Sequence, residues 1–266
     1  MILSRRAKVL LRLAMALGLA VIYVPLLVVL ANSFNASKTF GWPPQSFTAS
    51  WWHRTLDNSG VRAALWTSIK VGVGATAVAL VLGTMAAFAV SRYRFFGRDA
   101  VSFLVILPIA LPGIVTGIAL NSAFNYGGVS FGYFTVIVGH ATFCIVVVYN
   151  NVLARLRRTG TTLEEASMDL GATTFQTFAR VTFPQLRSAL LAGALLAFAL
   201  SFDEIVVTTF TTAPGLQTLP LWIFDNLFRP NQAPVVNVVA AVLVVASLLP
   251  IWAAQRLSGD DTGGRL

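Results

Sequence analysis

Glu165-Ala166-Ser167-Met168-Asp169-Leu170-Gly171 and, nine residues later, Val181-Thr182-Phe183-Pro184 lie on a charged loop between two long apolar runs. Thr162 and Glu165 have the spacing of a capping box, and Gly171 stands where a helix stop needs a left-handed residue. Thr173 and Gln176 repeat the capping spacing for a second short helix. Pro184 lacks an N–H and is expected to keep that helix from running unbroken into the next apolar run. The loop, roughly residues 155–187, therefore reads as helix, turn, helix. Its apolar positions Ala166, Leu170, Phe175, Phe178 and Phe183 must be buried on something, in part the protein's own helices, and a partner subunit could take the remainder.

The flanking sequence sets the fold class. Hydrophobic residues make up 56% of the 266, charged residues 11%, and mean hydropathy is +0.76, a balance that a soluble surface does not tolerate. Runs near the ~20 residues needed to cross a bilayer fall at roughly 12–31, 66–90, 100–122, 132–153, 188–210 and 235–254. A backbone in hydrocarbon must satisfy its own hydrogen bonds, and these runs lack the alternation of barrel strands, so the spans are helical. The expectation is an all-α polytopic membrane protein of about six transmembrane helices, one domain over residues 1–266. The first run follows Arg5, Arg6 and Lys8 and precedes the small-residue site Ala31-Asn32-Ser33, as in a signal peptide, but it is too long for an h-region and is read as an uncleaved helix.

Fourteen of the nineteen basic residues fall on one side if both termini are cytoplasmic, among them Arg92, Arg94, Arg98, Arg155, Arg157 and Arg158. That topology spreads the formal charge of +9 over short loops beside anionic headgroups, which argues against nucleic acid as a partner. Cys144 is the single cysteine. With His140 one turn before it, a metal site would still lack further ligands, so helix packing is the preferred reading and no metal is expected. The zinc-protease, nucleophile-elbow and phosphate-loop motifs are absent, so no catalytic residue is assigned, and any nucleotide energy must come from another chain.

The quoted loop resembles the signature of permease subunits of bacterial ATP-binding-cassette importers: Glu-Ala-Ala, three residues, Gly, nine residues, Ile-x-Leu-Pro. Ser167 replaces the second Ala, Val181 the Ile and Phe183 the Leu. The resemblance implies a coupling hairpin that fits a cleft of the nucleotide-binding subunit, with Glu165, Ala166, Ser167 and Gly171 at the contact, Asp169 alongside and Pro184 closing the motif. Ser33-Phe34-Asn35, Trp51-Trp52, Thr67-Ser68 at the opening of the second span, Ser201-Phe202-Asp203-Glu204, Pro220-Leu221-Trp222 and Val235-Val236-Asn237 resemble the permease of spermidine/putrescine importers in particular. Importers of other organic cations and of aminoethylphosphonate share much of this. The resemblance implies the bacterial cytoplasmic (inner) membrane, two nucleotide-binding ATPase subunits holding ATP and magnesium, a second and different permease, and an external substrate-binding protein. Two other classes stand beside it: an ion-gradient-driven secondary transporter using Asp203 and Glu204, which a copurifying ATPase would exclude, and an intramembrane enzyme using His140 or Cys144, which lacks catalytic partners.

Asp203 and Glu204 are the only acidic residues in the predicted spans, where each costs roughly 3 kcal/mol at mid-span. On a continuous helix Ser201, Glu204, Thr208 and Thr211 form one polar stripe, with Asp203 about 100° round from it. The stripe is expected to line the substrate path and the carboxylates to receive a polycation; the alternative places them at the interface, hydrated or paired with Arg229 or Lys70. Pro108, Pro112, Gly113 and Gly117, with Thr116, predict a kinked third span; the resemblance implies that this helix borders the path, and an inert packing kink is the alternative. Ala75, Ala79, Gly83 and Ala87 make a small-residue ridge for a close helix contact, either internal or between two permeases. Trp42, Trp51, Trp52 and Trp66 suit the interfacial belt, with a short surface helix within 49–65. Trp222, Phe224 and Asp225 offer acid and aromatic faces suited to alkylammonium ions, to an outer gate or to binding-protein docking.

Overall fold

The computed structural model describes residues 4–38, 43–229 and 231–259, with side chains to residue 247; Trp42 lies outside them. The chain, expected as one domain, divides into two compact units, Met1–Arg62 with Ile223–Leu266, and Ala63–Trp222. Among the described residues every regular element is a helix, apart from one isolated bridge between Asn35 and Phe47.

In the first unit, α1 (Arg5–Asn32) packs on α12 (Ala233–Gly259), which also meets α2 (Ser50–Asp57). The short surface helix expected within 49–65 is α2. Phe34 stacks on Trp52 at 5.3 Å, and Arg54 sits 5.0 Å over the Trp51 ring. The apolar side chains of α1 are exposed almost throughout, as lipid or a further subunit requires of a span that its own chain does not cover.

The second unit is built on α3 (Ser59–Arg92), α6 (Tyr133–Thr159) and α9 (Phe183–Phe202). The second span thus begins seven residues before the expected position 66, and Thr67 and Ser68 lie inside the helix rather than at its opening. Ala75, Ala79 and Ala87 are fully buried, and a Cβ on Gly83 would come within 2.9 Å of the Ile145 carbonyl oxygen and 3.1 Å of the Tyr149 nitrogen. The ridge is therefore an internal seam between α3 and α6. Small side chains let the two backbones approach, and close van der Waals packing takes the place of a hydrophobic driving force that lipid does not provide.

Four described helices are long and apolar enough to cross a membrane: Arg5–Asn32, Ser59–Arg92, Tyr133–Thr159 and Thr174–Phe202. The third expected span is instead a pair, α4 (Arg98–Ala110) and α5 (Gly113–Tyr126), bent by 107°. The last is the shorter apolar stretch Ala233–Ser247 of α12. The expected six spans resolve into these pieces.

Gly83→Leu should lower the stability of the isolated chain by about 1–3 kcal/mol, because backbone rather than a mobile side chain blocks the new atoms. Thermal unfolding in detergent checks this, with Gly18→Leu, which meets nothing within 4 Å, as the unaffected comparison.

Candidate functional site

Two helices of the second unit are interrupted, and the interruptions lie side by side. Between α4 and α5, Leu111 is extended (φ −81, ψ 142) and Pro112 caps α5. Pro108 stays within α4, so the expected kink sits at Pro112, where the missing N–H falls at a helix start and is not missed. After α9 ends at Phe202, the chain passes through Asp203, Glu204 and Ile205 before a short helix, α10 (Val206–Thr211). Gly113 faces Val206, where an added Cβ would lie at 3.7 Å, and at Gly117 it would stand only 2.6 Å from the Phe210 ring. Asn121 Nδ2 donates to the Phe210 carbonyl at 2.6 Å. α5 therefore lies along α10, and the Leu111–Pro112 break meets the 203–205 break. Pro112 and Gly113 are exposed there, while Thr116 Oγ1 is buried without a hydrogen-bond partner among the described residues.

The acidic pair occupies the second break. Asp203 is exposed; Glu204 is half-buried and accepts the Val207 N–H on Oε1 at 2.8 Å. The expected polar stripe on one continuous helix is not formed, since the helix stops at Phe202. Ser201 and Thr208 turn into the protein, 2% and 0% exposed, where His140 bridges them: Nδ1 to Ser201 Oγ at 2.7 Å and Nε2 to Thr208 Oγ1 at 2.8 Å. Thr211 is buried as well; its hydroxyl donates to the Val207 carbonyl at 2.8 Å and its own carbonyl accepts from Thr135 at 2.7 Å. Lys70, a possible partner for the pair, instead lies 5.5 Å over the Tyr133 ring. His140 is thus a bridge between two helices rather than simple packing. Its one legible signal is that no other histidine falls in a predicted span. Cys144 donates to the Ala197 carbonyl at 3.2 Å.

The hairpin has the expected outline with two changes. α7 (Thr162–Asp169) is preceded by Thr161, whose side chain makes no capping bond, so the Thr162–Glu165 box is not formed. Gly171 has φ +85, and the Ala172 and Gly171 amides donate to the Ser167 and Met168 carbonyls at 3.1 and 2.9 Å, a Schellman stop. Thr173 and Gln176 do form their box at the start of α8 (Thr174–Thr177). Pro184 does not part α8 from the span: a π turn, Phe178–Thr182, carries α8 into α9, so Thr174–Phe202 runs as one helix. The wider turn lets the Phe183 amide reach back to Phe178, which seats the proline ring at the start of a fresh α segment.

Arg92, the last residue of α3, holds the hairpin. Its Nε and Nη2 each donate to Glu164 at 2.9 Å, and Nη2 also donates to the Gly160 carbonyl at 2.8 Å. Thr182 adds a hydroxyl to Glu164 Oε1 at 3.1 Å. The side chains of the pair are only 13% and 17% exposed. The Arg92–Glu164 pair therefore ties together the end of α3, the end of α6 and α7, and through the carboxylate the π turn. Sequence reading selects Glu165; it misses Glu164, which makes the inward bond, because neighbouring carboxylates are distinguished only by which face of α7 meets Arg92. Glu165, Ala166, Asp169 and Gly171 are exposed, Ser167 is half-buried against Thr177 at 3.1 Å, and Pro184 is half-buried. Leu170 and Phe175 are 89% and 78% exposed, beside an open cleft of about 670 Å³ lined by Phe88, Arg92, Tyr93, Glu165, Met168 and Phe178. On α11 (Leu219–Leu227), Trp222 is buried, whereas Phe224 and Asp225 are exposed.

Residues 79–258 match the family model described as binding-protein-dependent transport system inner membrane component. The chain belongs to this family. Its hairpin, broken helices and apolar spans are thus those of a membrane component of a transport system. The chain is 34% identical over 245 residues to the spermidine/putrescine transport system permease protein PotC of Escherichia coli (strain K12), covering 92% of each chain. It is 32% identical to the putrescine transport system permease protein PotI of the same strain, covering 86% of this chain and 84% of that one. The sulfate transport system permease protein CysT of Salmonella typhimurium (strain LT2) is 30% identical, over 91% of each. In fold, the chain is similar to the crystal structure of a bacterial ABC transporter involved in the import of the acidic polysaccharide alginate, with a TM-score of 0.71 at 16% identity over 96% of this chain and 99% of that one.

In this transport component, Glu164→Gln removes the charge that Arg92 binds and should loosen the hairpin by about 1–3 kcal/mol. Hydrogen exchange of residues 160–182 should rise while that of α6 within the seam stays unchanged. Arg92→Glu with Glu164→Arg should recover part of the protection.

Proposed function

We propose that this chain is the permease subunit of an ATP-driven importer through which polyamines, spermidine or putrescine, enter the cytoplasm after delivery by an external substrate-binding protein. The observation that carries the reading is the meeting of two interrupted spans at an acidic pair. Irregular backbone at membrane depth is tolerated where it is buried in protein or lines a water-filled cavity, and discontinuous helices commonly form transporter sites. Asp203 and Glu204 supply negative charge at that place. Pro112, Gly113 and Thr116 border it, the last with a hydroxyl that has no partner among the described residues, and Ser201 and Thr208 support it from behind.

The family scaffold does not set the charge of the cargo, since one relative is named for sulfate and others for polyamines. The carboxylates decide for a cation: an alkyldiammonium or longer polyamine can meet two adjacent acids, whereas an anion would be repelled. Greater overall likeness to PotC and PotI points the same way.

Coupling belongs to the hairpin of the same unit. Its exposed face, Glu165, Ala166, Asp169 and Gly171 with Leu170 and Phe175, is the surface on which one of two nucleotide-binding ATPase subunits acts, and those subunits hold the ATP and magnesium. The distribution of basic residues supports a cytoplasmic side, in a bacterial cell, for that face and both termini. A second, different permease completes the pathway. Trp222, Phe224 and Asp225 serve as an outer gate or docking point.

The test is labelled spermidine and putrescine uptake in uptake-deficient cells expressing the complete transporter. Glu204→Gln should lower uptake about tenfold or more with normal insertion and ATPase association, as expected for a lost charge contact of about 1.4 kcal/mol or more. Parental uptake by that variant would remove the assigned role. Separately, Gly171→Pro forbids the positive φ of the Schellman stop and should abolish uptake while leaving insertion intact; ATP-independent uptake would overturn the importer reading.

A further inference from the structure

A side chain from outside the break that carries the acidic pair hydrogen-bonds to both sides of it. His140, on α6 and fully buried, reaches Ser201 in the last turn of α9 and Thr208 in α10. The direction of the bonds follows from proton supply. Thr208 has one hydroxyl proton, and it is donated to the Glu204 carbonyl at 2.9 Å. Its oxygen is then left to accept, so His140 Nε2–H donates to it. A neutral imidazole with its proton on Nε2 accepts at Nδ1, and Ser201 supplies that proton. The result is a directed chain, Ser201 to His140 to Thr208 to the backbone of Glu204.

Each link crosses an element boundary. α6 also bonds α9 through Cys144 and α10 through Thr135, each at a distance from the break, whereas the imidazole bonds both helices beside it. The Glu204 side chain, which caps Val207, holds α10 to its own start but not to α9. In an apolar interior, loss of the imidazole takes from Ser201 the acceptor and from Thr208 the donor that they use here, at a cost raised by the low dielectric.

The geometry points to His140 as a positioning residue for transport: it fixes the angle between α9 and α10, and thereby where Asp203 and Glu204 stand in the substrate path. This rests on the reading of that pair as part of the path. His140 itself touches no substrate, because it is buried behind the break.

The test uses the complete transporter in proteoliposomes, with uptake of labelled putrescine per inserted, ATPase-associated complex. The second readout is the rate at which a small cationic methanethiosulfonate modifies a cysteine at position 203 (Asp203→Cys), taken as the difference from the parent that holds only buried Cys144. His140→Ala and Thr208→Val should each lower uptake about tenfold, a size typical of directly coupled contacts. Each should also change the modification rate at position 203 by about threefold or more, which a general packing role would leave alone. Should His140→Ala fail to assemble, the near-isosteric Thr208→Val carries the same comparison. Uptake within about twofold of the parent, or reduced uptake with an unchanged modification rate, overturns the inference. In those cases Glu204→Gln remains impaired. If Glu204→Gln instead transports at the parental rate, the path reading itself has failed, and the inference falls with it.

Discussion

An interrupted backbone in apolar surroundings must find partners for every N–H and C=O that the helix no longer supplies, and this constraint organises the second unit. At the 203–205 break the Val207 amide is met by the Glu204 carboxylate and the Glu204 carbonyl by the Thr208 hydroxyl. At the far end of α10, Phe210 and Thr211 present carbonyls to Asn121 and Thr135. Leu219, opening α11, donates its amide to Ser68 Oγ on α3 at 2.8 Å. The polar residues scattered through the apolar runs are thus largely backbone partners for the broken pieces. At the two breaks, that leaves the exposed Asp203, the half-buried Glu204 and the Thr116 hydroxyl as polar groups available to something else.

The same unit is held differently at its hairpin. There a largely buried arginine–glutamate pair gathers the segments through charged and carbonyl contacts, with the Thr182 hydroxyl added on the carboxylate. Between the two sites, α9 runs as one rod from the π turn to Phe202, and the α3–α6 seam, tight at Gly83, lies alongside it. The hairpin and the acidic break are therefore joined by one continuous helix, Thr174–Phe202.

Much of this is legible in the residues. Hydropathy supplies the apolar helices, the Thr173–Gln176 box and Gly171 give the hairpin its outline, and the small-residue ridge announces a close contact. Three of the departures from the sequence reading have a local reason. Pro184 reads as a helix stop because sequence rules weigh the missing N–H, whereas a π turn absorbs it. The 188–210 run reads as one helix because hydropathy does not register a break whose polar groups are satisfied by neighbours. Thr162 has the spacing of a cap, yet position 161 precedes the helix and makes no capping bond.

What the sequence by itself determined is membership of the apolar helical class, the clustering of basic residues between the apolar runs and the identity of the acidic pair, because these depend on composition and short-range spacing. Tertiary structure alone decided that Glu164 rather than Glu165 binds Arg92, that the α4–α5 and α9–α10 breaks meet, and that His140 joins Ser201 to Thr208. These contacts link residues 61 to 89 positions apart. Which of several equivalent polar groups then pair is set by helix rotation and packing, and no local pattern encodes that.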